Sequence, residues 1–464
     1  MENVKDKEIC WGIIGAGSVC QLKSAPAMNK IPGSRIAAVM RRTGDKARDF
    51  AALHGVPRWY DNADTLLSDP EVNAVYIATP PGSHRELTLS AAAAGKPVYV
   101  EKPMARTWQE CRDMITACEA AGVPLFVAYY RRMLPNYRKI RELVDAGAIG
   151  TVRTVHIKMS RPARPDFDRD PANWRVRPEL AGGGYFYDLA SHQLDFLDYL
   201  LGPVTEASGF ASNQAGLYPA EDIVTGTFRF ANGVHGTGNW CFSAAESDAE
   251  DLTVLTGSHG VLSWPTFAGY YLDLKTDAKT DVTSGTTTGS ISDTTPGTIS
   301  GTTPGPTSDT TPNTRPGINT AILPDPASGS STPANPDSNP GTEGGSIRFH
   351  FDMPEHIQQP LIGTIVRELQ DFYSGRNDAA LYTKAHDPAS YSVPESDVIK
   401  SESTMEKPDY TVENPESDVI NPDSTIATPE SDVIRRCPSN GVTAALTNRV
   451  MEALTGSKPF TDTK

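Results

Sequence analysis

The chain has 464 residues, and its 42 Lys and Arg against 57 Asp and Glu leave a net charge of −15. Hydrophobic residues are only 38% of it, and 38 Gly with 37 Pro is high, so part of the chain does not build a core. The acidity is local: residues 276–345 carry −5 and residues 385–434 carry −10, leaving a formally neutral body of 344 residues without the basic surface that a nucleic-acid binder needs.

Met1 to Cys10 is polar and lacks the pattern of a secretory leader, and no apolar run is long enough to span a membrane. The six cysteines are scattered with no CxxC, the usage expected of reduced, mostly buried thiols in a cytoplasmic protein. Ile9 to Ile14 reads as a short buried strand running into Gly15-Ala16-Gly17-Ser18-Val19-Cys20. A glycine turn between a first strand and a helix lets backbone amides approach a pyrophosphate, which marks Gly15, Gly17, Ser18 and Val19 as cofactor contacts. Cys20 stands where the fingerprint prefers Gly or Ala, but it is small enough for close helix packing.

A second strand, Arg35 to Met40, ends in Arg41 and Arg42, where NAD-binding proteins place an acidic residue. Two guanidinium groups there suit the 2′-phosphate of NADP; solvated surface arginines, with NAD as cofactor, are the alternative. Strands are expected at 72–78, 96–100 and 124–128, and helices from His84 through Ala94 and from Thr107 to Gly122. This alternation predicts an α/β fold with a doubly wound parallel sheet. Ligands then bind beyond the carboxyl ends of the strands, where Gly15, Arg41, Thr79, Lys102 and Tyr130 fall. Pro80, His84, Glu101 and Arg131, in or just after the same loops, join the expected cofactor contacts; Arg132 reaches either the site or a surface ion pair.

Further on, Trp174-Arg175 precedes a glycine run, Gly182-Gly183-Gly184-Tyr185-Phe186-Tyr187-Asp188, with His192 four residues later. Residues 276–345 contain an eight-residue Ser/Thr/Pro repeat with few large apolar side chains, which predicts a disordered insertion. Residues 385–434 repeat Pro-Glu-Ser-Asp-Val-Ile from Pro394, Pro415 and Pro429; Pro in each copy excludes a heptad helix, leaving a second disordered insertion or an acidic docking motif. Between and after them, a strand at 349–351 and helices at 360–372 and 441–454 are expected to pack back onto the body.

The glycine turn at Gly15, Glu101-Lys102-Pro103 after a later strand, and the glycine run with Asp188 and His192 together closely resemble the Gfo/Idh/MocA oxidoreductases. The resemblance implies a Rossmann domain, 1–128, and a second α/β domain, 129–464, with a large, mostly antiparallel open sheet that commonly mediates homo-oligomerisation. It also implies hydride transfer between a nicotinamide and a carbinol carbon of a sugar, cyclitol or similar polyol. Lys102, Asp188 and His192 match the family's catalytic positions, and Trp174-Arg175 matches a segment near the nicotinamide and substrate.

The chemistry of these side chains agrees. An imidazole that titrates near pH 6.5 is a suitable proton acceptor or donor for alcohol oxidation. Asp188, one helical turn earlier, can orient that imidazole or bind a substrate hydroxyl. Lys102 can hydrogen-bond the reacting oxygen and relay a proton. No HxxxH or HExxH spacing suggests a metal site. A cofactor-binding sensor without turnover and an NAD-assisted glycosidase are the competing functions.

Overall fold

The protein is described here by a computed structural model covering residues 7–277, 345–377, 439–456 and 460–461. The insertion expected at 385–434 lies outside these residues, as does nearly all of that expected at 276–345. At the edges of the latter, Thr276 closes a strand and donates its amide to the Gly345 carbonyl at 2.9 Å, so both ends belong to the folded body.

Six strands form a wholly parallel sheet: β1 (Ile9–Ile14), β2 (Ser34–Met40), β3 (Arg58–Tyr60), β4 (Ala74–Ile77), β5 (Val98–Val100) and β6 (Leu125–Val127). Their spatial order is β3-β2-β1-β4-β5-β6. All six β1 residues are buried, which is why that strand reads as a continuous apolar run rather than an alternating one. The helix Trp108–Ala121 begins on a Thr107 side chain that accepts the Glu110 amide and ends at left-handed Gly122. Strand order reverses between β1 and β4, and that crevice is where such a sheet binds ligands.

The second sheet has nine strands: β7 (Val152–Pro162), β8 (Val204–Ser212), β9 (Ile223–Phe230), β10 (His235–Ala244), β11 (Glu250–Gly257), β12 (Gly260–Trp264), β13 (Tyr271–Thr276), β14 (Ser346–His350) and β15 (Phe460–Thr461). Every pairing is antiparallel except β7 with β10. One face packs Val155, Ile157, Met159, Trp240, Phe242, Leu255 and Leu262 into the main core. Thr154, His156, Thr227, Thr237 and Asn239 alternate onto the other face, which is open.

The helices expected near 360–372 and at 441–454 form over Gln359–Tyr373 and Gly441–Leu454. The second of these touches the helices Trp108–Ala121 and Ser191–Leu201 and strand β8, so the end of the chain packs between the two sheets. It is tied to the parallel sheet by Val127 N donating to Ser439 O at 2.9 Å and Asn448 Nδ2 donating to Ala105 O at 2.7 Å.

Candidate active site

The glycine turn after β1 is built by close approach. Gly15 has φ +88°, and a Cβ there would lie 2.5 Å from Thr79 Cγ2 and 2.9 Å from the Thr79 amide nitrogen, so only glycine lets the ends of β1 and β4 touch. Gly17 is half-buried, Ser18 exposed and Val19 half-buried at the start of the following helix, whose first amides have no intrahelical acceptor. Arg41, half-buried, and Arg42, exposed, directly follow β2; the Arg41 amide donates to the Tyr60 carbonyl at 3.2 Å, and neither guanidinium has a bond to another described residue. A dinucleotide fits this cradle: the turn offers amides to a pyrophosphate, and the end of β2 offers cationic donors toward a ribose.

Lys102 leaves the end of β5 through a cis peptide to Pro103. Behind it, Glu101 is buried and accepts from Tyr76 Oη at 2.6 Å, Gln358 Nε2 at 3.0 Å and the Lys102 amide at 3.2 Å. Glu101, expected at the cofactor, therefore faces inward and anchors the turn that presents Lys102. The Lys102 ammonium donates to Asp188 Oδ1 at 2.6 Å and to the Asp188 carbonyl at 2.8 Å.

The glycine run supplies Asp188. Gly182, at φ +89°, passes so close to the Arg106 backbone that a Cβ would sit 2.8 Å from its Cα. Phe186–Ala190 then winds as a π-helical turn before the helix Ser191–Leu201. The expected pairing of Asp188 with His192 does not form. Lys102 takes one carboxylate oxygen, and Arg175 Nε lies 3.3 Å from the other. Burial raises the Asp188 carboxyl, but Lys102 and then Arg175 outweigh it and hold its pKa below the usual value. Trp174 is half-buried beneath Arg175, whose guanidinium lies 4.6 Å from the indole centroid.

His192 sits instead in an aromatic nest, its ring 5.4 Å from Tyr130, 5.9 Å from Tyr129 and 6.0 Å from Phe267. Its buried Nδ1 has no hydrogen-bond partner among the described residues. Burial, then the charges of Lys102, Arg131 and Lys23, push its pKa well below 6.5, so the ring is neutral at pH 7. A neutral, unpartnered imidazole beside a lysine can accept a proton from a substrate hydroxyl.

Two further expected cofactor contacts are engaged within the protein. His84 is fully buried, with Nε2 2.7 Å from Thr79 O and Nδ1 3.1 Å from Met104 O, so its ring joins the Thr79 turn to the segment after Lys102 and does not reach a ligand. Arg131 is buried, bonded to the Thr266 carbonyl and 4.3 Å from the Phe267 ring against which His192 also packs. Its neighbour Arg132 forms a fully buried ion pair with Asp195. The sequence reading missed Gln358 and Phe267, which reach the site from distant segments with no local motif. It also missed Arg161 at the end of β7, although five arginines within residues 161–177 are a readable cationic signal.

Residues 9–129 match the model of an oxidoreductase family with an NAD-binding Rossmann fold, and residues 137–263 match the GFO/IDH/MocA C-terminal domain. The chain is 41% identical over 262 residues to Oxidoreductase P35 of Formosa agariphila, covering 56% of this chain and 80% of that protein. It is 30% identical to the 1,5-anhydro-D-fructose reductase of Ensifer adhaerens over 48% of this chain and 66% of that one. Among solved structures, the aldose-aldose oxidoreductase of Caulobacter crescentus complexed with glycerol superposes with a TM-score of 0.52 at 28% identity, covering 58% of this chain and 81% of that one. With both halves of the folded body matched, this chain is a member of the Gfo/Idh/MocA family of NAD(P)-binding oxidoreductases.

Proposed function

We propose that the protein oxidises a carbinol carbon of a sugar or related polyol, or reduces the corresponding carbonyl, with Lys102, His192 and Asp188 as the reacting-centre residues. The observation that carries this is the Lys102–Asp188 ion pair with His192 near enough for the Lys102 charge to help keep its imidazole neutral. A bound nicotinamide supplies the hydride acceptor or donor. In the oxidative direction, neutral His192 takes the hydroxyl proton, and the Lys102 ammonium hydrogen-bonds the oxygen as it gains negative charge. Asp188 orients Lys102 rather than the imidazole, and Arg175 fixes Asp188 from the other side. In reduction the same groups return the proton to the carbonyl oxygen.

The unpaired guanidinium groups at Arg41 and Arg42 favour NADP over NAD. We place the boundary between nucleotide and substrate domains at residue 128, just past β6. The open face of the nine-stranded sheet, with Phe210 84% exposed on it, favours a homo-oligomer formed through that sheet. Four buried thiols without disulfides favour a cytoplasmic setting; no helix among the described residues is long and apolar enough to cross a membrane. The functional reading is tested by following NADH and NADPH absorbance with a panel of aldoses, ketoses, cyclitols and sugar acids in both directions. Dinucleotide binding without turnover of any of them would favour a sensor instead.

A further inference from the structure

Four cationic side chains, Lys102, Arg131, Arg161 and Arg175, surround the reacting centre, and three of them are already engaged. Lys102 and Arg175 share the Asp188 carboxylate, and Arg131 donates to the Thr266 carbonyl. The second nearby carboxylate, Asp251, is spent on the turn between β12 and β13, where it accepts the amides of Thr266, Phe267 and Ala268 at 2.5–3.0 Å. Arg161 is left over. Its guanidinium lies 5.2 Å from the Phe267 centroid, on the ring whose other neighbours are Arg131 and His192, and it has no hydrogen-bond acceptor or ion-pair partner among the described residues.

Arg161 is only partly exposed, and burial lowers its pKa, so its free charge is incompletely hydrated. It is also close enough to help hold the Asp188 carboxyl down. A half-buried fork of N–H donors with no partner among the described residues, close to Asp188, is a receptor for a planar anion. A polyol hydroxyl can accept one of these bonds but leaves the Arg161 charge uncompensated, whereas a carboxylate satisfies two donors and offsets that charge.

We propose that the substrate is a sugar acid whose carboxylate is bound by Arg161 while its carbinol carbon lies between Lys102 and His192. This rests on the oxidoreductase reading above and narrows its substrate class. Arg161 is a specificity residue, separate from the proton-handling groups, and the anion belongs to the substrate rather than to the cofactor phosphates, because the phosphate cradle lies at Gly15 to Val19 on the other sheet.

The test compares matched pairs, D-glucuronate with D-glucose and D-galacturonate with D-galactose, using wild type, Arg161→Gln and Arg161→Lys with NAD and NADP, alongside NADPH affinity by fluorescence. Wild type is expected to show the higher kcat/KM on the acids. Arg161→Gln should reduce the acid-to-neutral ratio by roughly 10- to 100-fold, mainly through KM, and Arg161→Lys by less. Equal or greater wild-type activity on the neutral sugars, or on the 6-phosphates, overturns the proposal and leaves the oxidoreductase reading intact. An unchanged ratio in folded Arg161→Gln or Arg161→Lys also overturns it, as does a loss of NADPH affinity as large as the loss on the acids. Bound dinucleotide with no turnover of any sugar or acid overturns the oxidoreductase reading itself.

Discussion

Lys102 and Asp188 meet across 86 positions of sequence, the ammonium nitrogen 2.6 Å from the carboxylate Oδ1 and 2.8 Å from the carbonyl of the same residue. Two acceptors from one residue fix the lysine's direction, and they come from the π-helical turn that the glycine run introduces. On the proposed function, replacing Lys102 with Ala removes the donor to the reacting oxygen. Turnover should fall by about 10²- to 10⁴-fold with NAD(P)H affinity nearly unchanged, measured by steady-state kinetics and fluorescence titration. Unchanged turnover on every substrate found would remove Lys102 from the chemistry.

With His192 as the proposed proton acceptor, its titration should set the acid side of the pH profile. Because burial and three neighbouring cations depress its pKa, it stays unprotonated well below pH 6.5, and kcat/KM for oxidation should hold as pH falls through 6.5. The same shift acts on stability. The folded state binds fewer protons here than the unfolded state once pH drops below 6.5, so wild type should lose stability relative to His192→Gln as pH falls from 7 toward 5. An acid limb centred at or above pH 6.5 would contradict this placement.

Arg132 and Asp195 are a structural pair, with side chains 1% and 2% exposed. Burial still raises Asp195 to about 6 and its neighbour Asp198 to about 7, so the guanidinium is the group that keeps charge tolerable there. Arg132→Met should cost about 3–5 kcal/mol in urea unfolding by leaving carboxylates unpaired. The double variant Arg132→Met/Asp195→Leu should recover part of that loss.

The cofactor cradle depends on Gly15. A valine there places Cβ against Thr79 in a backbone conformation that β-branched residues avoid. Gly15→Val should abolish measurable dinucleotide binding. Arg41→Ala/Arg42→Ala should instead cost NADP affinity while sparing NAD; equal losses for the two would end the 2′-phosphate argument.

Strands β13 and β14 pair in register, Lys275 with Ser346, so the chain ends flanking residues 278–344 lie side by side. Replacing that segment by a short Gly/Asn turn should leave a folded enzyme whose melting temperature stays within a few degrees of wild type. Collapse of the protein would show that the segment contributes to the core.

Much of the fold could be read locally. β1 is apolar throughout because both faces of a central parallel strand are covered, and the helix Gly441–Leu454 was visible from its spacing because one face packs into the core. The nine-stranded sheet could not be read strand by strand, since its open face carries threonine, histidine and asparagine in alternation with glycine and large aromatics. Candidate residues were legible where a motif held them, as at Gly15, Lys102, Asp188 and His192.

What each candidate touches was decided only in three dimensions. Asp188 precedes His192 by one turn, yet its charge goes to Lys102 and Arg175, because two cations within hydrogen-bond range outbid a neutral, desolvated imidazole. His84 begins a helix at the crevice, yet its ring points between two backbone carbonyls, where both nitrogens meet polar atoms out of water. The sequence by itself determined the alternation of strands and helices in the nucleotide domain, since neighbours along the chain dictate it. Only the tertiary structure decided which charges are paired and which, like Arg161, have no partner among the described residues, because pairing depends on distances between segments far apart in the chain.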